Sequence, residues 1–256
     1  MIRLEVLDGV ASIFLDRRAT RNALDGDGWR ALAEAIAQAG ASDARLLLLR
    51  SGAAGTFCSG SDLADLERLA SDPAARPPFR AMMREAIDAL PRLPIPTLAV
   101  IDGHCFGAGV ALALGCDIRI AGPGARFAVT PAKLGISYPQ EDVERLVATV
   151  GAGQAARLLF TAAPIDADEA ARIGLVEECC ASAEARALEM ARAIAANSRD
   201  SLALLKAMLQ GRASKAASDA GFDACFGGSD FAHRLAAFRG HRKEGREGAV
   251  DNHSPD

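Results

Sequence analysis

Residues 96–121, PTLAVIDGHCFGAGVALALGCDIRIA, constrain the fold of this chain more than any other stretch. The β-branched and apolar run 97–101 follows a proline and predicts a buried strand. The small residues 107–109 then open an apolar segment, 110–114, which is too short to cross a membrane and predicts a buried helix. Strand character returns over 117–121. This order of strand, glycine turn, helix and strand predicts an α/β core with crossover connections.

The glycine turn at 107–109 offers two interpretations. The first turn of a helix leaves its backbone N–H groups without internal acceptors, and the positive end of the helix dipole lies there. Such a turn suits an anion, or an oxygen that develops negative charge. Alternatively, the glycines only allow a helix to pack tightly against a sheet. A dinucleotide-binding fingerprint is excluded, because no third glycine follows Gly107 and Gly109 at the required spacing.

Composition narrows the classes of function. Half of the 256 residues are apolar, which is enough for one large domain or one domain with a small appendage. A formal charge of −4 offers no overall basic surface for nucleic acid or anionic lipid. Met1 leads directly into an alternating strand pattern without a removable leader, so we expect a cytoplasmic protein with no membrane partner.

The six cysteines form no CxxC pair and have no histidines at zinc-ligand spacing, so we expect no metal site. In a cytoplasmic chain they are expected to be reduced and mostly buried. A catalytic thiol at Cys58 or Cys105 is the weaker alternative, because both lie in glycine-rich segments.

The first half of the chain alternates strand and helix patterns. Asp8-Gly9 predicts the turn of a hairpin over 2–15, and Asn22 or Asp25 can cap the helix that follows. The remaining predicted elements are a strand at 44–50, a second glycine-rich segment at 55–63 leading into a helix, a surface loop around Pro73, Pro77 and Pro78, and a helix at 79–90.

The second half becomes helical. A strand at 126–129, helices at 141–150 and 153–160, and a helix and strand after Ile165 precede an alanine-rich helical region from Ala183 onward. Residues 240–256 are charged and poor in apolar groups, so we expect them, with His241 and His253, to be disordered. The predicted organisation is a core at 1–195, a C-terminal helical region at 196–240 and a tail at 241–256.

Several motifs together resemble the crotonase (enoyl-CoA hydratase/isomerase) superfamily. They are FCSGSDL and GHCFGAGVALALGCD, with RRATRNAL upstream, FAVTPAKLGI downstream, and LLFTAAPIDADEAARIGLVEE and SDFAHRLAAF later in the chain. The resemblance covers roughly residues 1–240. It implies an α/β spiral of repeated ββα turns, with C-terminal helices that form a homotrimer or a dimer of trimers.

The resemblance also implies an acyl-CoA substrate and a catalytic oxyanion hole. Its two donors are the backbone N–H groups of Ser61 and Ala108, which hold the thioester oxygen while an enolate forms. Apart from the coenzyme A of the substrate, no cofactor is implied. Basic residues at 17–21 are expected near the CoA phosphates. The CoA contacts implied by the motifs are Ala23, Ser59, Gly60, Ser61, Asp62, Leu63, Gly107, Ala108, Pro131 and Leu134.

This chain departs from the family pattern where the chemistry is expected. Hydratases of the family use two glutamates, and the matching positions here are Ala111 and Pro131; the isomerases' alternative carboxylate falls on Pro139. Neither alanine nor proline transfers a proton. Tyr138 stands nearby in TPAKLGISYP, a segment that resembles methylmalonyl-CoA decarboxylase-type members, where a tyrosine helps to bind the substrate carboxylate. Tyr138 is therefore a candidate catalytic or substrate-orienting residue.

Three functions stay open on the sequence alone. The first is an enoyl-CoA hydratase/isomerase family enzyme, and the second is a decarboxylase or thioester hydrolase that uses Tyr138. The third is a catalytically inactive acyl-CoA-binding protein. Among other candidate groups, Glu141 and Asp142 lie at a helix start, where acidic residues are expected for dipole reasons alone, and His104 is expected to be packed.

Overall fold

The computed structural model describes the backbone of residues 1–247 and the side chains of residues 1–239. The chain folds into two compact units, of which the first covers Met1–Asn197 and the second begins at Ser198. No helix in the described part of the chain is both long enough and apolar enough to cross a membrane.

The described residues form a six-stranded and a four-stranded sheet. In chain order the strands are β1 Ile2–Leu7, β2 Val10–Leu15, β3 Leu46–Ser51, β4 Thr56–Cys58, β5 Thr97–Ile101, β6 His104–Phe106, β7 Ile118–Ala121, β8 Arg126–Ala128, β9 Ile165–Asp166 and β10 Glu178–Cys179. The larger sheet has the order β1-β2-β3-β5-β7-β10 and the smaller has the order β4-β6-β8-β9. Apart from the β1–β2 hairpin and the β8–β9 pair, neighbouring strands are parallel.

Helices connect and cover the strands. They are α1 Gly26–Ala41, α2 Leu63–Ser71, α3 Arg76–Arg92, α4 Ala108–Gly115, α5 Gln140–Thr161, α6 Ala167–Arg172, α7 Ala183–Ala195, α8 Arg199–Leu209, α9 Lys215–Gly227 and α10 Ser229–Glu247. The parallel strands with crossover helices confirm the α/β fold class. The second unit contains α8, α9 and α10.

The loop before α1 fixes the chain against β4. Asp25 caps α1, its carboxylate accepting from the Gly28 N–H at 2.7 Å. Asn22, the other predicted cap, has a φ of 58° and is fully buried. Its side-chain amide donates to the Phe57 carbonyl at 2.9 Å. Asn22 therefore anchors the loop to the strand that leads into the glycine-rich turn.

Three local expectations differ from the structure. Pro77 and Pro78 lie in the first turn of α3 rather than in a loop, because a first-turn residue needs no backbone donor. His104–Phe106 forms β6, a strand that the sequence pattern does not predict. Residues 241–247 continue the α10 backbone instead of being disordered, since helix-favouring lysine, arginine and glutamate dominate them. The side chain of His241, and His253 with the rest of the tail, lie outside the described residues.

The break within α5 agrees with the two helices predicted at 141–150 and 153–160. Gly151 has φ 76° and ψ 159° and interrupts the helical geometry between them. A positive φ of this kind favours glycine, so the chain changes direction here without strain.

Candidate active site

The two glycine-rich turns are packed directly against each other. Gly60 lies between β4 and α2 with a φ of 100°, and a Cβ added to it would be 3.1 Å from the Ala108 nitrogen. At the start of α4, a Cβ on Gly109 would lie 2.3 Å from the Cys58 carbonyl oxygen. Only glycine fits such a close approach of backbone to backbone. The glycines thus bring Ser61 and Ala108 to one place.

Both turns leave a backbone N–H without a protein acceptor. Leu24 bridges to the β4–α2 turn, donating to the Gly60 carbonyl at 2.8 Å and accepting from the Asp62 N–H at 3.0 Å. The Ser61 N–H takes no part in this pair of hydrogen bonds. Ala108 is the first residue of α4, where a helix supplies no partner. Within residues 1–239, neither N–H donates to a protein group.

A cavity of about 430 Å³ opens beside these two N–H groups. Most of the residues predicted to contact CoA or the thioester line it: Ser59, Gly60, Ser61, Leu63, Gly107, Ala108, Pro131, Leu134 and Tyr138. Two predicted contacts do not line it. Ala23 is buried, and Asp62 caps α2 by accepting from the Ala64 N–H at 2.9 Å.

Apolar side chains form much of the cavity wall. They come from α2, α3 and the segment before α5: Leu63, Leu66, Leu69, Phe79, Met83, Leu134 and Ile136. A wall of this composition suits a hydrocarbon chain, because such a chain gains free energy when it leaves water.

Tyr138 is buried, and its hydroxyl donates to the Gly107 carbonyl at 2.9 Å. This bond ties the segment before α5 to the residue that precedes Ala108. Burial raises the pKa of the Tyr138 phenol well above its ordinary value, with a smaller contribution from the nearby Asp142. The phenol therefore keeps its proton near neutral pH.

Asp142, which the sequence offers as a candidate only at a helix start, lines the cavity. Its carboxylate is 1% exposed and accepts from the Arg84 guanidinium at 2.7 Å. Burial raises the pKa of Asp142, while Arg84 and then Arg145 oppose that rise. Arg84 lies 58 residues earlier in the chain, so no local pattern links it to Asp142. The sequence signal for an ion pair at Asp142 was its three-residue spacing from Arg145 on α5.

The structure also shows where the three positions lie at which the family resemblance implies a carboxylate. Pro131 and Pro139 line the cavity, whereas Ala111 is fully buried in α4. His104 lies in β6 with its ring stacked on Phe106 at 5.0 Å, as a packed residue would. No carboxylate stands at any of the three positions.

The basic loop at 17–21 is partly committed within the protein. Arg17 pairs with Asp25 at 2.6 Å, and Arg18 pairs with Asp16 at 3.0 Å. Arg21 is exposed. A role of this loop at the CoA phosphates stays a prediction.

The thiols in the glycine-rich segments are buried. Cys58 and Cys105 face each other across the β4–β6 pair, and the Cys58 thiol donates to the Asn22 carbonyl at 3.2 Å. Burial raises the pKa of Cys58 to about 12, which opposes a role as nucleophile. Within the described chain, no three metal-ligating side chains come together in a way that could hold an ion.

The chain is similar in sequence to one family model and to several known proteins. Residues 5–225 match the family model described as enoyl-CoA hydratase/isomerase. Over 66% of its own length, this chain is 33% identical to the mitochondrial methylglutaconyl-CoA hydratase of mouse. Over 84% of its own length, it is 32% identical to the bovine mitochondrial enoyl-CoA hydratase domain-containing protein 2. It spans 53% of the mouse protein's length and 71% of the bovine protein's length.

A solved structure matches over almost the whole chain. An enoyl-CoA hydratase/isomerase family protein from Hyphomonas neptunium is 35% identical and superimposes with a TM-score of 0.89. The match covers 94% of this chain and 95% of that protein. The fold predicted from the sequence motifs is thereby confirmed.

Proposed function

This chain belongs to the enoyl-CoA hydratase/isomerase family, and from that premise we propose that it acts on an acyl-CoA thioester through an enolate. The observation that carries the proposal is the pair of backbone N–H groups at Ser61 and Ala108, which border one cavity and have no protein acceptor in the described chain. When a proton leaves the α-carbon of a thioester, negative charge moves onto the thioester oxygen. Two preorganised donors stabilise that charge.

The cavity supports an apolar acyl group. Leu66, Phe79 and Met83 face the space beside the two donors, so a hydrocarbon chain can be buried next to the thioester. The proposed CoA contacts are the residues implied by the family motifs, from Ala23 to Leu134. The oxyanion hole is the part of this hypothesis that a single backbone change can test.

The decisive variant is Ala108→Pro. Proline is tolerated at the first position of a helix, so the fold should persist while one donor to the thioester oxygen is lost. We expect turnover of an accepted acyl-CoA to fall by about 10²–10³, or about 3–4 kcal/mol of transition-state stabilisation. Affinity for CoA, measured by calorimetry, should largely survive.

The matched control is Ala108→Gly, which keeps the N–H and should keep most of the activity. Both variants must retain the wild-type melting temperature. A folded Ala108→Pro protein that works at the wild-type rate would exclude Ala108 as an oxyanion donor. A wild-type protein that binds acyl-CoA thioesters without turning any over would instead favour an inactive binding protein.

Self-association is the proposed assembly, as a trimer or a dimer of trimers. In the second unit α8 and α9 expose apolar side chains, with Leu209 87%, Phe222 62% and Phe226 56% exposed. Apolar surface of this extent favours contact with another subunit. Sedimentation analysis should give a trimer or hexamer mass at micromolar concentration, and a stable monomer would contradict the proposal.

A further inference from the structure

The cavity contains a carboxylate that none of the family motifs assigns. Asp142 is the third residue of α5 and lines the same cavity as Ser61, Ala108 and Tyr138. Among the described residues that line this cavity, Asp142 is the sole aspartate or glutamate. Lys133 and Tyr138 are the other ionisable side chains there.

The carboxylate of Asp142 is only half satisfied. Its Oδ1 atom accepts from Arg84 at 2.7 Å and lies 3.5 Å from Arg145. Its Oδ2 atom is buried and has no hydrogen-bond partner within the described chain. A buried carboxylate oxygen without a partner is costly, so its retention beside a ligand cavity indicates a use.

A purely structural explanation does not account for the arrangement. Acidic residues are stabilised at helix starts by the dipole, but Glu141 meets that need with a side chain that is 55% exposed. Asp88 also serves the ion-pair network, accepting from Arg145 at 2.6 Å, and it does not line the cavity. Of these three carboxylates, Asp142 alone is buried, lines the cavity and has an oxygen without a hydrogen-bond partner in the described chain.

We propose that Asp142 is the catalytic acid–base of this enzyme, removing and returning the proton on the acyl carbon next to the thioester. In the forward step the C–H bond breaks, its electron pair moves toward the thioester oxygen, and the proton passes to Asp142. Return of that proton to the same or another acyl carbon restores the carboxylate. This inference rests on the proposed function, because the enolate needs the Ser61 and Ala108 donors.

The surroundings of Asp142 suit this role. Burial raises its pKa, which makes the carboxylate a stronger base, and the Arg84 guanidinium opposes that rise. As a base it works ionised, so activity should fall as the pH drops through its pKa. The ionisable groups that face it are Arg84 and Asp88 from α3, Glu141 and Arg145 from α5, and Tyr138.

The test follows exchange of the α-protons of butyryl-, hexanoyl- and octanoyl-CoA in D₂O by proton NMR. Asp142→Asn keeps the shape of the side chain and should lower the exchange rate by about 10²–10⁴-fold, with thioester affinity retained. The matched control is Asp88→Asn, which removes another carboxylate of the same ion-pair network and should leave the exchange rate above the acid limb unchanged. Equal losses in the two variants would overturn the proposal.

Arg84→Gln supplies a second readout that remains available if Asp142→Asn does not fold. Loss of the cation should raise the pKa of Asp142 and move the acid limb of the exchange profile to higher pH. An acid limb that stays in place overturns the proposal. Ala108→Pro separates the two hypotheses. If it abolishes exchange while Asp142→Asn does not, the oxyanion hole stands without Asp142; a wild-type protein that binds but never exchanges overturns both.

Discussion

The β4–α2 and β6–α4 turns contribute main-chain N–H groups to the cavity, whereas the segment leading into α5 contributes the side chains of Tyr138 and Asp142. The turns are held by contacts that only glycine permits, at Gly60 and Gly109. The α5 side is held by a tyrosine hydroxyl and an ion-pair network. In the function proposed above, stabilisation of the enolate charge would depend on backbone geometry, while the choice of reaction would depend on a few replaceable side chains.

The largest effect expected from this contrast is on hydration. Without carboxylates at 111 and 131, crotonyl-CoA should be hydrated about 10²–10⁴-fold more slowly than by a relative that has both glutamates, which is about 3–5 kcal/mol in the barrier. Spectrophotometric loss of the enoyl thioester measures this rate. A rate typical of an efficient hydratase would show that the α5 side supplies a complete acid–base pair.

The two glycine-rich turns should tolerate less added side-chain volume than α5. Gly109→Ala places a Cβ against the Cys58 carbonyl and should lower the free energy of unfolding by about 1–3 kcal/mol. Gly153→Ala in α5 is the control, because a Cβ there meets nothing within 4 Å and should be neutral or slightly stabilising. Denaturant titration compares the two, and equal effects would remove the argument that close packing fixes the turn.

The smallest effect concerns the bond that joins the two sides. Tyr138→Phe removes the hydroxyl donor to the Gly107 carbonyl and should cost about 1 kcal/mol of unfolding free energy, measured by denaturant titration. If the hydroxyl only positions the turn, α-proton exchange should persist in this variant. A loss as large as that expected for Ala108→Pro would place Tyr138 in the chemistry itself.

Local patterns predicted much of the fold. Asp8-Gly9 gave the hairpin, in which Leu7 pairs with Val10, and Gly151 marks the predicted break in α5. β6 could not be predicted in this way, because a three-residue strand exists only through its pairing with β4 and β8. Strand identity at this length is decided by tertiary contacts.

The candidate site was easiest to predict from the sequence where it is built from backbone. Glycines at fixed spacing indicate where N–H groups become exposed, and the motifs around Ser61 and Ala108 carried that prediction. The burial of Asp142 depends on Arg84 in α3, a contact between distant parts of the chain that no periodicity encodes. The role of Tyr138, and the resemblance of its segment to decarboxylase-type members, stay predictions.

The two neighbouring free cysteines of β4 and β6 could report local opening of the protein around the cavity. Cys58 and Cys105 are fully buried in adjacent strands beneath the two turns. Because both thiols are buried, a thiol reagent reaches them through local opening of the protein, and their modification rate in the native protein reports how often such opening occurs. A ligand bound in the cavity should lower the rate of thiol modification, because a ligand that binds the closed form reduces the population of the open one.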